Sequence, residues 1–409
     1  MHPHRSNSSI FLGACLAFAF TMLALAASAF GQTESILYTF TGGSDGKTPV
    51  GSLIFDADGN LYGATFNGGS GGNGVVFELS PAIGGGWTET VLYSFLGGSD
   101  GALPVGGLTF DSAGNLYGTT VIGGSHNLGT VYELSPAASG GWTENILYSF
   151  AGGTDGTTPN GNLVFDAAGN LYGTTVGGGG TALLGTVFEL SPAAGGGWTE
   201  TVILTGSTLH GGEFDAGLVF DNDGNLYATA PLGGSSDAGS VYRLTHTSTG
   251  WHHGVIYNFL GTTDGASPRA GITFRPPGTL FGVAEGGGTF NFGTAFELTP
   301  GTGGAWNETT LHDFGAFPKD ELCPTFALTI GTAGQLYGTN VAACSGGGTA
   351  FELVKTATGW KERILHSFTT GTDAGEPEGS VVLDGAGNLY GVGRNGGSFG
   401  AGAVFEIIP

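Results

Sequence analysis

Apolar and polar positions fall into short runs of β character, and the same order of runs returns along the whole chain. In the first full unit, residues 52–55 are apolar and β-prone. Residues 56–59 place Asp first and Gly fourth, the signature of a hairpin turn, and residues 61–65 return. A glycine-rich loop at 67–74 leads to residues 75–79, where Val75, Phe77 and Leu79 alternate onto one face. Residues 80–86 turn the chain, and residues 87–95 form a fourth run opened by Trp87. After the first thirty residues, no segment carries a helical period.

The unit recurs seven times. The positions of Asn60, Asn115, Asn170, Asn225, Thr279, Gln335 and Asn388 are spaced 55, 55, 55, 54, 56 and 53 residues apart. Four strands per unit, repeated seven times, predict an all-β chain folded as a seven-bladed β-propeller of four-stranded blades. The competing architecture is an open solenoid of stacked units. The two ends of the repeat array separate these. The last unit stops at its third strand, around Phe405, while residues 33–40 match the fourth-strand run at 88–95. Pairing residues 36–40 with the strand that contains Phe405 closes a ring and removes two exposed sheet edges.

The Asp-x-x-Gly-Asn-Leu-Tyr-Gly block, the Val-Phe-Glu-Leu-Ser-Pro strand and the Leu-Tyr-Ser-Phe strand together resemble the GloVer tandem-repeat family. The resemblance covers nearly all of the chain after its first thirty residues. It implies export in bacteria and a repeat scaffold, and it implies no particular reaction.

Composition adds a compartment and excludes some partners. Arg5, an apolar stretch over residues 10–26 and Ala27-Ser28-Ala29 read as a signal peptide over residues 1–29, with a mature domain over 30–409. No later stretch has the length and hydropathy of a membrane span, so a secreted or periplasmic monomer, with cell-surface association as a variant, is expected. The 33 acidic residues outnumber the 10 Lys and Arg, for a formal net charge of −23. Between Gln32 and Tyr242 the only Lys or Arg is Lys47. Such a surface repels nucleic acid and anionic lipid, and it favours a neutral glycan, a cation or a cell-envelope protein as partner. In an oxidising compartment, Cys323 and Cys344 read as a disulfide.

Residues present in every unit are scaffold first. The turn acids Asp56, Asp111, Asp166, Asp221 and Asp384 therefore cap their own hairpins. The loops that lead into the first strand of each unit carry Asp45, Asp100, Asp155, Asp264 and Asp373. In a propeller these loops surround one mouth of the central channel. Five acids there are a candidate ligand-binding ring, with calcium as the one metal to consider; the other reading is an Asx turn at each Asp. Breaks in the repeat add candidates. The fourth unit places His210, Glu213 and Asp215 in its leading loop, a possible acid-base group. Loops between second and third strands contribute Phe290, Phe292 and Arg394 as ligand contacts. No recognised metal or nucleophile spacing is present. The expected function is a non-catalytic binding or scaffold propeller for a glycan or protein partner, without a cofactor. The alternative is a polysaccharide lyase, hydrolase or lactonase with its site at the channel mouth.

Overall fold

A computed structural model of the protein describes residues 33–207, 211–316, 323–341, 347–369 and 371–409. His210, Cys344 and the proposed signal peptide lie outside the described residues. The described chain forms seven antiparallel sheets arranged as the blades of a propeller, with two single 3-10 turns, Gly98–Asp100 and Thr302–Gly304, and no long helix. No helix among the described residues is long and apolar enough to cross a membrane.

Blade 1 shows the plan. From the axis outward it consists of Lys47–Phe55, Leu61–Asn67, Val75–Pro81 and Trp87–Ser94, hydrogen-bonded in that order. Blade 7 is completed from the other end of the chain. Its outer strand is Thr33–Thr39, which pairs antiparallel with Ala403–Ile408. Ile36 sits opposite Phe405 and Thr33 opposite Ile408. The ring is therefore closed by the matching orphan strands, as the repeat ends predict.

The repeated sequence motif has a local cause at each position. In the hairpin turn, one Asp56 oxygen accepts the amide hydrogens of Asp58 and Asn60, each at 2.9 Å. The other accepts Nδ2 of Asn60 at 2.7 Å and the Tyr62 hydroxyl at 3.0 Å. Asp, Asn and Tyr thus form one hydrogen-bonded unit. Partial burial would raise the Asp56 carboxyl, but these donors more than offset it and hold the group below its ordinary range. The same set forms at Asp111, Asp166, Asp221 and Asp384.

Gly63 follows Tyr62 because the Phe77 ring occupies the space a side chain would need. A Cβ on Gly63 would lie 2.6 Å from that ring. Blades interlock through such aromatics: Phe40 packs edge-to-face on Phe77, and Trp87 on Tyr390 of the preceding blade. The core is accordingly distributed as clusters between neighbouring blades. The one that seals the ring joins Phe40, Leu53, Phe77, Val404 and Tyr390.

The inner strand departs from the sequence reading. It begins at Lys47, several residues earlier than the apolar run at 52–55, because Lys47, Pro49 and Val50 already pair with the second strand. Between Val50 and Ile54 the register shifts, and the strand bulges. The equivalent shift follows Val105 in blade 2 and Asn160 in blade 3.

Candidate functional site

The bulge brings the inner strands to the channel. Gly51, Gly106 and Gly161 adopt φ of 68–72° at its crest. A Cβ on Gly51 would lie 1.8 Å from the Gly106 carbonyl oxygen, and one on Gly379 would lie 2.4 Å from that of Gly51. Neighbouring inner segments thus meet backbone to backbone, which only glycine permits. Threonine hydroxyls stitch the blades at this level, Thr174 to the Ala216 carbonyl at 3.0 Å and Thr229 to that of Ala270 at 2.9 Å.

One step toward the mouth, each blade presents a residue in a repeated setting. It follows a proline in six blades and Phe214 in the fourth. The residue before that proline has a φ of 53–61° in all seven blades: Thr48, Leu103, Thr158, Glu213, Ser267, Cys323 and Glu376. In each case its amide donates to a carbonyl of the preceding blade, as Thr48 does to Ala401 at 2.8 Å and Glu213 to Leu184 at 2.7 Å. A left-handed residue is costly for side chains other than glycine, so the inter-blade bond holds the loop in place.

The scaffold is therefore constant, and the residue it displays is not. The seven displayed side chains are Val50, Val105, Asn160, Asp215, Arg269, Thr325 and Glu378. All seven line one central cavity of about 880 Å³, joined by Phe66, Glu285 and Arg394. One side of the mouth is apolar, at Val50, Val105 and Phe66. The other five displayed residues are polar or charged, and Val341 adds an apolar contact beside them.

The charges are organised around two arginines. Arg269 contacts Asp215 Oδ2 through Nη1 at 2.7 Å, Glu285 through Nε at 3.0 Å and Glu213 at 3.7 Å. Arg394 lies 3.5 Å from Glu378 and 3.8 Å from Glu376. Burial pushes the Asp215 carboxyl up to about 6, even against the pull of Arg269. Its Oδ1 is buried without a hydrogen-bond partner. Burial also raises Glu378, although Arg394 opposes it.

The other sequence candidates are placed as follows. Asp45, Asp100, Asp155, Asp264 and Asp373 lie one per leading loop, and the residues that line the central cavity do not include them. Asp45 accepts from the Tyr38 hydroxyl at 3.1 Å and from the Thr41 amide at 2.7 Å. Asp155 and Asp264 accept likewise from Tyr148 and Tyr257, at 2.9 and 3.0 Å, and Asp100 accepts from Tyr93. Beside each stands a half-buried outer-strand glutamate. Burial, and then the neighbouring aspartate, push Glu34, Glu89, Glu200 and Glu308 up to about 7 and Glu144 to about 8. Phe290 and Phe292 are exposed on the rim, at 44% and 37%. The structure thus brings Asp215, Glu213 and Arg394 to the cavity mouth and spreads the five aspartates around the ring. Arg269, Asn160, Thr325 and Glu378 were not singled out from the sequence. They follow the proline of the leading loop in blades 3, 5, 6 and 7, and because the residue before that proline varies as well, variation alone did not single them out.

No curated protein matches the chain. Among solved structures, a protein from Lactobacillus plantarum is similar at 19% identity and a TM-score of 0.55, over 82% of this chain and 89% of that one. PorZ, a surface component of the type-IX secretion system of Porphyromonas gingivalis, is similar at 15% identity and a TM-score of 0.52. That match covers 86% of this chain and 46% of PorZ. At such identities these likenesses speak for the fold alone. The profile of the Gloeobacter/Verrucomicrobia repeat matches residues 27–205 and 138–351, and the chain belongs to that repeat family.

Proposed function

We propose that the protein is an exported binding propeller that takes a neutral, hydroxyl-rich ligand, such as the end of a glycan chain, at the mouth of its central channel. One observation carries this reading. A loop of constant backbone displays six different side chains at seven positions around a single cavity. The arginines are already engaged by carboxylates, so the mouth offers fixed donors and acceptors and no unmatched positive charge. Asn160 and Thr325 add neutral polar groups, while Val50, Val105 and Phe66 supply an apolar wall for the C–H face of a sugar. The net charge of −23 disfavours anionic ligands. The reading invokes no cofactor.

A glycan-array screen of the mature protein, with and without calcium, tests this reading. Selective retention of neutral glycans supports it; retention confined to anionic polymers contradicts it. Asp215 supports a second reading, a hydrolase or lactonase, because a buried carboxyl raised to about 6 is suited to acid-base chemistry near neutrality. In that case, lactone or glycoside turnover would be lost in Asp215→Asn. Export also favours a Cys323–Cys344 bridge. With a sequence separation of 344 − 323 = 21, it would add about 3 kcal/mol in the chain-entropy account. Non-reducing peptide mapping should recover the two cysteines linked, and recovery of two alkylated thiols would contradict it.

A further inference from the structure

We propose that Glu34, His366 and Asp373 form a binding site for one divalent transition-metal ion of the zinc type, placed where it ties the closing strand into the ring. The three side chains come from three different segments. Glu34 lies on Thr33–Thr39, the strand that completes blade 7. His366 lies on Gly359–Ser367, the outer strand of blade 6. Asp373 lies in the loop that joins these two blades.

Their donor atoms all lie within 4.8 Å of one another. His366 Nε2 is 3.2 Å from Asp373 Oδ2. Two ligands each about 2.0–2.2 Å from a tetrahedral zinc stand about 3.3 Å apart, so this pair already has the separation an ion requires. Glu34 Oε1 is buried and accepts no hydrogen bond. The His366 and Asp373 side chains are 25% and 14% exposed, which leaves the site shielded but reachable.

The repeat provides its own comparison. At the equivalent place, other blade junctions hold Tyr38, Asp45 and Glu89, or Tyr93, Asp100 and Glu144, or Tyr148, Asp155 and Glu200. There a tyrosine hydroxyl donates a hydrogen bond to the aspartate, and Glu89, Glu144 and Glu200, like Glu34, each keep a buried Oε1 without a partner. Here histidine replaces tyrosine, and a nitrogen ligand replaces a hydroxyl donor; His312 makes the same replacement one junction earlier, where it lies 3.7 Å from Glu362. Among the described residues this is the one group of three or more His, Cys, Asp and Glu side chains with metal-holding separations. One imidazole and two carboxylates suit zinc-type ions, whereas calcium takes six to eight oxygens.

The test uses chelator-stripped mature protein titrated with zinc chloride and followed by calorimetry and thermal melting. The expected result is one equivalent bound and a rise in Tm; calcium chloride should leave the Tm unchanged. His366→Tyr installs the residue found at four other junctions, Tyr38, Tyr93, Tyr148 and Tyr257. It should keep the Tm of the stripped parent and lose the zinc-dependent rise, and Glu34→Gln should lose it as well. An unchanged zinc response in His366→Tyr would place any bound zinc elsewhere and overturn the proposal. Absence of zinc binding to the stripped parent, or an equal response to calcium, would also overturn it.

Discussion

Asp215 and Arg269 hold the same position in adjacent blades, and Arg269 Nη1 lies 2.7 Å from Asp215 Oδ2. The contact joins two copies of one repeat through side chains that no other copy carries. Seven similar units build a symmetric ring, and at this level the ring stops being symmetric. Valine occupies the position in blades 1 and 2, and a charged or amide group in blades 3, 4, 5 and 7. A selective site needs that asymmetry, which the repeat alone does not provide.

The carboxyl groups give stability a defined dependence on pH. Glu34, Glu89, Glu144, Glu200 and Glu308, with Asp215, have folded-state values raised above those of the unfolded chain. The native state therefore binds protons more tightly, and the stability these groups contribute is lost as pH rises through about 6 to 8. The turn aspartates Asp56, Asp111, Asp166, Asp221 and Asp384 are held low, so their contribution is lost as pH falls below about 4. Thermal melting should give the highest Tm near pH 5 (about 4.5–5.5), with a decline toward pH 8.5. Replacing Glu89, Glu144 and Glu200 together by Gln should flatten the alkaline side. A Tm that climbs steadily from about pH 5 to 8.5 would contradict this assignment.

The second-strand glycines make a packing prediction. A Cβ at Gly173 would approach the Phe188 ring to 2.5 Å. Gly173→Ala should cost about 1–3 kcal/mol through overpacking, measured by denaturant unfolding. Blade 4 already carries Ala228 at this position, beside Tyr242. Ala228→Gly should therefore change stability in the direction of a cavity and a looser strand, by less than Gly173→Ala changes it. Equal tolerance of both substitutions would show that the aromatic is free to move aside.

Ring closure predicts the effect of a truncation. Removing residues 33–40 takes away the partner of Ala403–Ile408 and the Phe40 ring from the closing cluster. The shortened protein should melt far lower or fail to fold, and its exposed strand edge should promote association. A truncated monomer with an unchanged Tm would mean that the pairing of Ile36 with Phe405 contributes nothing to the closed ring.

The sequence made the ring legible because repeat spacing and orphan strands are global features that survive local divergence. Four runs per unit, seven units and the closing pair at Ile36 and Phe405 all follow from them. The channel lining was harder to read. Period-two alternation assigns a face only while the register holds, and the register breaks after Val50, Val105 and Asn160. A residue that alternation places on a blade surface is thereby turned toward the axis. Asp45 shows the converse. Its position before the inner strand suggested the mouth, but Tyr38 seven residues earlier takes its carboxylate into the blade junction. The Tyr-to-Asp spacing was present in four units and carried that information. His210 and Cys344 fall outside the described residues, and the candidate roles given to them rest on the sequence.

The central claim is that the variable ring of the channel mouth holds the ligand. It is tested most directly by comparing two variants on glycans retained by the parent. Asn160→Val with Arg269→Val extends the valines of blades 1 and 2 around the mouth, and Asp45→Asn with Asp155→Asn alters two leading loops away from the cavity. Affinity measured by calorimetry on folded protein should fall at least tenfold, about 1.4 kcal/mol, in the first variant and stay within twofold of the parent in the second. Undiminished binding by the valine variant, with loss in the aspartate variant, would contradict the account and move the site to the outer loops.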